Sequence, residues 1–262
     1  MPIDVTHFSM VGFAFDPGSR NGLAQFIEKH SIGCQPIELT KSEAVCVLRD
    51  PSGGDLWIAA RRRDDGGNEF VTLNPGFAGE GRAKVDVVGD NSDPEYAPFE
   101  IGVAARFSGE ETPIVFDLAD PSQAALTKRG ASITVDLAAF SFKPEIYADA
   151  KAYDAAQAKT GGKIRFAPNF FIPTGSFFER AGGAMPNDAK RPTAYADFAG
   201  KVLKVGHRTN AADGRDFWWA LVETYGNWTI DVVMDSSTVS TEPKVGSIIA
   251  GRFWLSGRVV SP

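Results

Sequence analysis

Short segments rich in β-branched and aromatic residues recur along this chain, and turn residues separate them. This alternation constrains the fold more than any other feature of the sequence. The loop Asp50-Pro-Ser-Gly-Gly, for example, divides two such segments. Strands are predicted at 43–49, 56–62, 69–73, 82–88, 99–107, 112–118 and 132–142, and the similar composition of Val5 to Phe15 predicts an opening strand.

Three segments have helical rather than strand patterns. Leu23, Phe26, Ile27 and His30 recur at the spacing of one helix face, which predicts a short helix there. A second helix is predicted at 121–129, where Asp120 can cap the first turn, and a third at 148–159, which is rich in Ala and Lys. The predicted fold class is therefore mainly β, with an N-terminal α+β unit of mixed or antiparallel sheet and short helices.

The length of 262 residues favours two units over one large core. The Pro, Gly and Phe content of residues 166–193 disfavours a long regular element, which indicates a connector. The predicted domains are 1–165, an α+β sheet unit, and 194–262, a β-barrel.

The C-terminal segment contains five predicted strands, with a long connection between the third and the fourth. They lie at 198–207, 216–225, 227–234, 247–254 and 256–260. Together with Ala199-Gly-Lys-Val, Asp216-Phe-Trp-Trp and Val245-Gly-Ser-Ile-Ile-Ala-Gly, this pattern resembles the OB-fold, a five-stranded barrel. The resemblance implies binding of an oligonucleotide, an oligosaccharide or another small polar ligand on strands two and three and on the loop between strands one and two.

Aromatic and basic residues cluster where the OB-fold resemblance implies ligand contact. Aromatic faces next to guanidinium groups suit the stacking of bases and the neutralisation of phosphates. Because neighbouring strand residues point to opposite faces, at least one of Trp218 and Trp219 is expected in the core, and packing alone is the alternative explanation for these aromatics. The candidate ligand-binding residues are His207, Arg208, Asn210, Arg215, Trp218, Trp228 and Trp254.

Charge limits the expected partners. The whole chain has a net charge of -6, and residues 194–262 contain seven Lys and Arg against seven Asp and Glu, which sum to zero. A strong duplex-DNA binder would be basic, so any binding of single-stranded nucleic acid is expected to be weak and salt-sensitive. A second hypothesis is that the aromatic surface joins subunits of a homo-oligomer or binds a partner protein.

Targeting signals and cysteines predict the compartment. No apolar stretch approaches the length of a membrane-spanning helix, and the start lacks a basic region followed by an apolar one, so a cytoplasmic protein without membrane contact is expected. Cys34 and Cys46 match neither a metal-ligand spacing nor a disulfide framework, and are predicted to be separate buried thiols.

Residues 3–79 also show a likeness to one module of the vicinal oxygen chelate superfamily, carried by the element order, by His7 in the first predicted strand and by Asp50-Pro-Ser-Gly. The likeness implies a metal-dependent enzyme in which His7 is a ligand and Glu69 or Glu100 the carboxylate. Because the rest of the N-terminal unit after residue 82 offers no second His, the leading hypothesis remains a non-enzymatic binding module without catalytic residues, metal or cofactor. The glycine-rich segment 76–81 precedes no predicted helix and is interpreted as a hairpin or bulge.

Overall fold

The computed structural model describes residues 6–15, 21–32, 34, 36–159, 164–174 and 192–261. Strands dominate, so the prediction of a mainly β fold with short helices is confirmed. The strands are β1 (Pro36–Glu38), β2 (Glu43–Arg49), β3 (Gly54–Arg62), β4 (Asn68–Phe77), β5 (Ala83–Asp90), β6 (Gly102–Phe107), β7 (Pro113–Leu118), β8 (Ser132–Ser141), β9 (Glu145–Tyr147), β10 (Phe171–Ile172), β11 (Tyr195–Thr209), β12 (Asp216–Glu223), β13 (Thr229–Asp235) and β14 (Ile248–Ser261). The helices are α1 (Gly22–Ser31), α2 (Ala150–Lys159) and 3-10 helices at Ser9–Val11, Pro121–Leu126 and Tyr225–Asn227.

The helix predictions are confirmed at two places and adjusted at the third. The helices predicted at 23–30 and 148–159 are α1 and α2. At 121–129 the structure has a 3-10 helix that ends at Leu126, and the Asp120 side chain accepts a hydrogen bond from the Ser122 backbone N–H as the predicted cap.

Strands β1 to β4 form an antiparallel sheet in chain order. Its side chains alternate between two covered faces, as period-two strands require. Leu56 and Ile58 face the larger sheet, whereas Trp57 and Ala59 pack with Phe99 on the opposite side. Both faces of this small sheet are therefore buried along β3.

The other ten strands form one mixed sheet, in which β8 and β14 pair with each other and with strands on both sides. One closed circuit runs β8-β5-β6-β7-β14, and a second runs β8-β13-β12-β11-β14. Residues Ala138 and Ala139 of β8 pair with β13 on one edge and with β14 on the other, so the circuits share the β8–β14 ribbon. The two circuits are two small barrels joined along that ribbon.

Alternate residues of these strands fill a continuous interior. Val135 and Leu137 of β8, Phe253 and Leu255 of β14 and Phe107 of β6 belong to one buried apolar cluster. Fully burying a side chain of this size stabilises the fold by roughly 1.5–3 kcal/mol. The residues between them in each strand point outward. The polar groups among these outward residues therefore lie on the outer surface of the barrels.

The C-terminal segment differs from its prediction in strand count and in pairing. The first three predicted strands correspond to β11, β12 and β13, but one continuous strand, β14, occupies the place of the two strands predicted at 247–254 and 256–260. The fifth member of the second circuit is β8, which precedes the connector. Strand pairing therefore crosses the predicted domain boundary. Of the predicted connector, residues 175–191 lie outside the described residues.

The opening strand predicted at Val5 to Phe15 is wrong for the described residues 6–15. Ser9–Val11 form a 3-10 helix, and Met10, Val11 and Phe13 are completely buried against the outer face of the second circuit. The buried apolar residues at positions 10, 11 and 13 do not alternate strictly as they would in a strand with one buried face. Their apolar side chains instead cover the outside of a barrel.

The cysteine prediction is also wrong. Cys34 and Cys46 form a disulfide, with their Cα atoms 5.9 Å apart. The chain after α1 runs beside β2, which brings together two residues that the sequence spacing did not identify as a pair. In the described ranges, no helix is long and apolar enough to cross a membrane.

A buried ion pair joins the small sheet to the shared ribbon. Asp55 of β3 and Arg258 of β14 are hydrogen-bonded, with side chains 2% and 16% exposed. Burial raises the pKa of Asp55, and the Arg258 charge opposes that rise. Removing either partner would leave a charge buried without compensation.

Candidate functional site

The loop between β11 and β12, where the OB-fold resemblance places ligand contacts, is occupied by the chain's own N-terminal segment. Asn210 is completely buried, and its side-chain nitrogen donates to the Val11 carbonyl over 2.9 Å. Its side-chain oxygen accepts from the backbone of Ala212 and Asp213. The Asp213 carboxylate accepts from the Ala14 backbone at 2.7 Å. Asn210 therefore closes a loop and holds the N-terminal segment.

Both predicted arginines are engaged within the molecule. Arg208 donates to the Ser52 carbonyl at 2.8 Å, and its guanidinium carbon lies 4.0 Å from the centroid of the Trp219 ring. Arg215 lies 3.5 Å from an oxygen of Asp235. These contacts join loops and strands within the protein. They engage the two guanidinium groups that would otherwise be available to bind a phosphate.

The remaining predicted residues lie at three separate places. The exposed His207 ring is 4.6 Å from that of Trp218, and its Nε2 is 3.1 Å from Ser236 Oγ. Trp228 stacks on Phe107 at 3.4 Å between ring centroids. Trp254 lies on β14, outside both groups. The structure therefore does not bring the seven predicted residues together in one site.

Two adjoining concavities meet at Trp254. The first, called here the inner cavity, has a volume of about 80 Å³ and lies between the small sheet and the first circuit. The second, called the outer cleft, has a volume of about 310 Å³ and includes His7, Asp93 and Tyr195 in its lining. Asp117, Glu100 and Trp254 line both spaces.

Strand parity places Asp117 and Trp254 at this junction. Phe116 and Leu118 of β7, like Phe253 and Leu255 of β14, belong to the buried apolar cluster of the interior, so the residues between them point outward. The Trp254 indole nitrogen donates to Asp117 Oδ2 at 2.5 Å. Burial raises the pKa of Asp117 to about 6, and the Glu100 charge adds to that rise. With this pKa, the half-buried carboxyl group is mostly ionised at pH 7.

Two buried nitrogen atoms next to these spaces have no hydrogen-bond partner in the described part of the chain. Trp57 is only 3% exposed, its Nε1 is unpartnered, and it lines the inner cavity. His7 Nε2 is likewise unpartnered, and His7 lines the outer cleft with its ring 4.6 Å from that of Trp254. Burial lowers the pKa of His7 to about 4, so the ring is neutral at pH 7.

The lining of both spaces is acidic and aromatic. Carboxyl groups come from Asp93, Glu100 and Asp117, and the described lining residues include no Lys or Arg. Burial, followed by the Asp117 charge, raises the pKa of Tyr195, which keeps this phenol neutral. Glu100 accepts a hydrogen bond from Thr72 Oγ1 at 2.8 Å. The combined charge at neutral pH is negative.

Two other concavities are less suited to bind a ligand. A groove of about 460 Å³ beside β1 and β2 is larger, but Lys41 and Arg62 alternate there with Glu38 and Glu43 at an exposed surface. A depression of about 250 Å³ beside α2 is lined by Phe166, Phe170 and the buried Tyr153. The depression beside α2 also has one unpartnered buried group, the Tyr153 hydroxyl. The junction at Trp254 differs because two unpartnered buried nitrogens and the half-buried Asp117 carboxyl group belong to residues that line it.

A second group of buried acids, called here the buried acid pair, lies on the outer face of the second circuit. Asp231 accepts hydrogen bonds from the backbone of Glu80 at 3.2 Å and Gly81 at 2.6 Å, and from Trp219 Nε1 at 2.6 Å. Asp136 accepts from the Gly79 backbone at 3.0 Å. A Cβ on Gly79 would overlap the Asp231 carboxylate, so glycine allows the loop to close over it.

The glycine-rich segment therefore has a structural role that the sequence did not indicate. Residues 79–81 provide backbone N–H groups to two carboxylates instead of forming a hairpin turn of their own. Burial raises the pKa of Asp136, and the neighbouring charge of Asp231 raises it further. A proton held at Asp136 keeps two adjacent negative charges from facing each other.

The metal-site residues implied by the vicinal oxygen chelate likeness are only partly brought together. His7 and Glu100 both line the outer cleft, whereas Glu69 lies at an exposed position on β4. In the ranges that the structure covers, no group of three or more His, Cys, Asp or Glu residues is arranged to hold a metal ion.

A scan against protein-family models, a search of curated proteins and a search of solved structures each found no match for this chain. The candidate site therefore depends on geometry alone. Sequence reasoning identified Trp254 as a ligand residue, and His7 and Glu100 only as metal ligands, but it missed Asp117, Trp57 and Tyr195. One signal for Asp117 was present, since an acid interrupts the apolar strand Pro-Ile-Val-Phe-Asp-Leu.

Proposed function

We propose that this chain is a non-enzymatic binding module that holds a small polar molecule in the outer cleft, with one end of the molecule in the inner cavity. The observation that carries the proposal is that Trp57 Nε1 and His7 Nε2, two unpartnered buried nitrogens, belong to residues that line the two spaces together with Asp117. A buried polar group without a partner costs about 1–3 kcal/mol. A ligand that bonds to these atoms recovers that cost.

Size and lining support a small ligand. The outer cleft, at about 310 Å³, is at the lower end of the range for small-molecule pockets. The inner cavity, at about 80 Å³, has room for a few waters or for one polar end group. Aromatic rings of His7, Tyr195 and Trp254 provide apolar surface, and a few fixed polar atoms provide orientation.

The tryptophans allow a direct test. The chain contains five Trp residues, so the indole N–H region of a nitrogen-15 NMR spectrum has five signals, which Trp→Phe variants assign. We expect a ligand found in a chemically diverse small-molecule library to shift the signals of Trp57 and Trp254. The signal of Trp219, whose N–H is bound to Asp231, should stay in place.

A matched pair of variants tests the role of the Trp57 N–H. Trp57→Phe keeps an aromatic ring but removes the donor, and should weaken binding of the library ligand about tenfold, which corresponds to about 1.4 kcal/mol. Trp228→Phe, on the stacked pair with Phe107, should leave the affinity unchanged. A library in which no compound shifts Trp57 or Trp254, or equal effects of the two variants, would contradict the proposal.

Single-stranded nucleic acid is a second candidate, favoured by the exposed His207 ring next to Trp218. Its support is weaker because Arg208 and Arg215 already have partners in the protein. Fluorescence anisotropy of a labelled oligonucleotide at low and at physiological salt tests it. Binding that falls with salt and is lost in His207→Ala would favour this surface, and no binding at low salt would remove it.

A further inference from the structure

We infer that Asp136 and Asp231 share one proton, and that this proton fastens the loop 78–82 to the second circuit as a pH-sensitive latch. The loop joins β4 of the small sheet to β5 of the first circuit. Asp136 lies on β8 and Asp231 on β13, so the loop is attached to two strands of the second circuit. The latch is a conformational device and does not depend on the proposed ligand site.

The hydrogen-bond donors around the pair are unequally distributed. Both carboxylate oxygens of Asp231 accept from N–H groups, whereas Asp136 accepts only at Oδ2, from the Gly79 backbone. Asp136 Oδ1 is buried and has no hydrogen-bond partner among the described residues. Because N–H donors stabilise the charged form of a carboxyl group, the shared proton belongs on Asp136. Donated from Asp136 to Asp231, it satisfies both acids.

The loop lies directly against the pair. The backbone N–H groups of Gly79, Glu80 and Gly81 all donate to the two carboxyl groups. A Cβ on Gly79 would overlap the Asp231 carboxylate, so no space separates loop and acid. When the proton leaves to solvent, two negative charges face each other in a buried place. The pairing of β8 with β13 fixes both acids, so the loop is the part that moves away.

The closest cation to the unpartnered oxygen is Arg82, at the end of the loop. Its Nη1 lies 3.7 Å from Asp136 Oδ1 and donates to the Gly81 carbonyl over 2.6 Å. Arg82 therefore favours loss of the proton without replacing the hydrogen bond that the proton makes. The other charged groups around the pair are Glu80, paired with Lys204 of β11; Arg208 of β11; and Arg258 of β14, which lies opposite Asp136 and is paired with Asp55.

The latch operates near neutral pH. Burial, followed by the Asp231 charge, raises the pKa of Asp136, and a hydrogen bond between the two side chains adds to the rise. The Gly79 N–H and the Arg82 charge oppose it. The proton is therefore held in mildly acidic solution and lost as the pH rises through the neutral range.

Trp219 reports on the proton, because its indole N–H donates to Asp231 Oδ1. The test is a pH titration of the nitrogen-15 spectrum from pH 5.5 to 8.5, together with hydrogen exchange of residues 78–82. We expect the Trp219 indole signal to move with a midpoint between pH 6 and 8. Protection of the loop amides, corrected for the intrinsic pH dependence of exchange, should fall about tenfold for each pH unit above that midpoint.

Three variants separate the latch from a general effect of pH. Asp136→Asn gives Asp231 a permanent donor, so the Trp219 signal and the loop protection should no longer depend on pH. Asp117→Asn is the same change at another acid with a raised pKa, and should leave both titrations as in wild type. Arg82→Gln removes the closest cation and should move the midpoint to higher pH by about half a unit. A purely structural role of Arg82 would not move it.

Each alternative outcome overturns the inference. If the Trp219 signal does not move in the wild type, the acids share no proton. If the signal moves but the protection of residues 78–82 does not change, the pair titrates without acting as a latch. If Asp117→Asn abolishes either titration, another acid is responsible. Should Asp136→Asn fail to fold, the wild-type titration and the Arg82→Gln midpoint decide.

Discussion

The buried acid pair and Asp117 are both removed from water, at least in part, but they are stabilised in different ways. The buried acid pair, Asp136 and Asp231, is surrounded by N–H donors from residues 79–81 and from Trp219. Asp117 has the Trp254 donor and lines both the inner cavity and the outer cleft. At the first place the protein provides the partners itself, whereas at the second it leaves room for a partner from outside.

Under the proposed function, this difference separates structural acids from a ligand-binding acid in the same molecule. A carboxylate that is fully hydrogen-bonded within the protein contributes to stability, and its removal leaves several donors unpaired. A carboxylate that is desolvated but incompletely partnered destabilises the fold in its charged form. Such a cost is commonly associated with function. The two places should therefore respond to mutation with opposite signs.

The largest effect is expected at the buried acid pair. Asp231→Ala leaves the N–H groups of Glu80, Gly81 and Trp219 without an acceptor, and should lower the free energy of unfolding by about 3 kcal/mol or more. Urea denaturation at pH 7 measures this change. Asp64→Ala, at an exposed position, is the control and should change the value by less than about 0.5 kcal/mol. If Asp231→Ala lowered the free energy of unfolding by less than about 1 kcal/mol, Asp231 would not be the structural acid described here.

The next effect has the opposite sign. The pKa of Asp117 is about 6 in the folded protein against an ordinary value of 3.8, so the folded state loses stability as the pH rises through this interval. Asp117→Asn removes that penalty and can still accept from Trp254. We expect it to raise the free energy of unfolding at pH 7.5 by about 2 kcal/mol, with little gain at pH 4. Destabilisation at pH 7.5 would show that Asp117 is structural.

The smallest effect concerns the pH dependence of the acid pair. Because burial and Asp231 raise the pKa of Asp136, the folded state holds a proton that the unfolded state releases, and stability falls as the pH rises. Asp136→Asn provides a permanent donor to Asp231. Between pH 6 and 8, the free energy of unfolding measured with urea should fall by about 1 kcal/mol less in this variant than in wild type. Identical slopes would assign the pH dependence to other groups, with Asp117 the first to test.

The sequence predicted the elements better than their partners. Alternating residues identified most strands, because period-two burial depends on local sequence alone. The alternation gave a wrong strand prediction at residues 10–13, where apolar side chains cover a barrel from outside. It also missed that β14 is one strand that belongs to both circuits, because no residue in the sequence indicates this.

The site could be predicted only in part for the same reason. Trp254 is visible as an aromatic residue in a strand, but its contact with Asp117 depends on the parallel pairing of β14 with β7, in which Ser256 lies opposite Asp117. Trp57 reaches the same space from a different sheet. The buried acid pair likewise depends on β13 lying beside β8, where Asp231 is opposite Ala138. Non-local pairing of this kind has no local sequence signal.

The shared β8–β14 ribbon also has a kinetic consequence. Neither circuit can close until residues 248–261 are present, since β14 pairs with β7, β8 and β11. Contacts between positions as distant as Asp117 and Ser256 give a high contact order, which slows folding. During synthesis, β5 to β8 leave the ribosome before β14 and keep unpaired edges until β14 emerges. For this chain, the interval before β14 emerges is the period of greatest risk of aggregation.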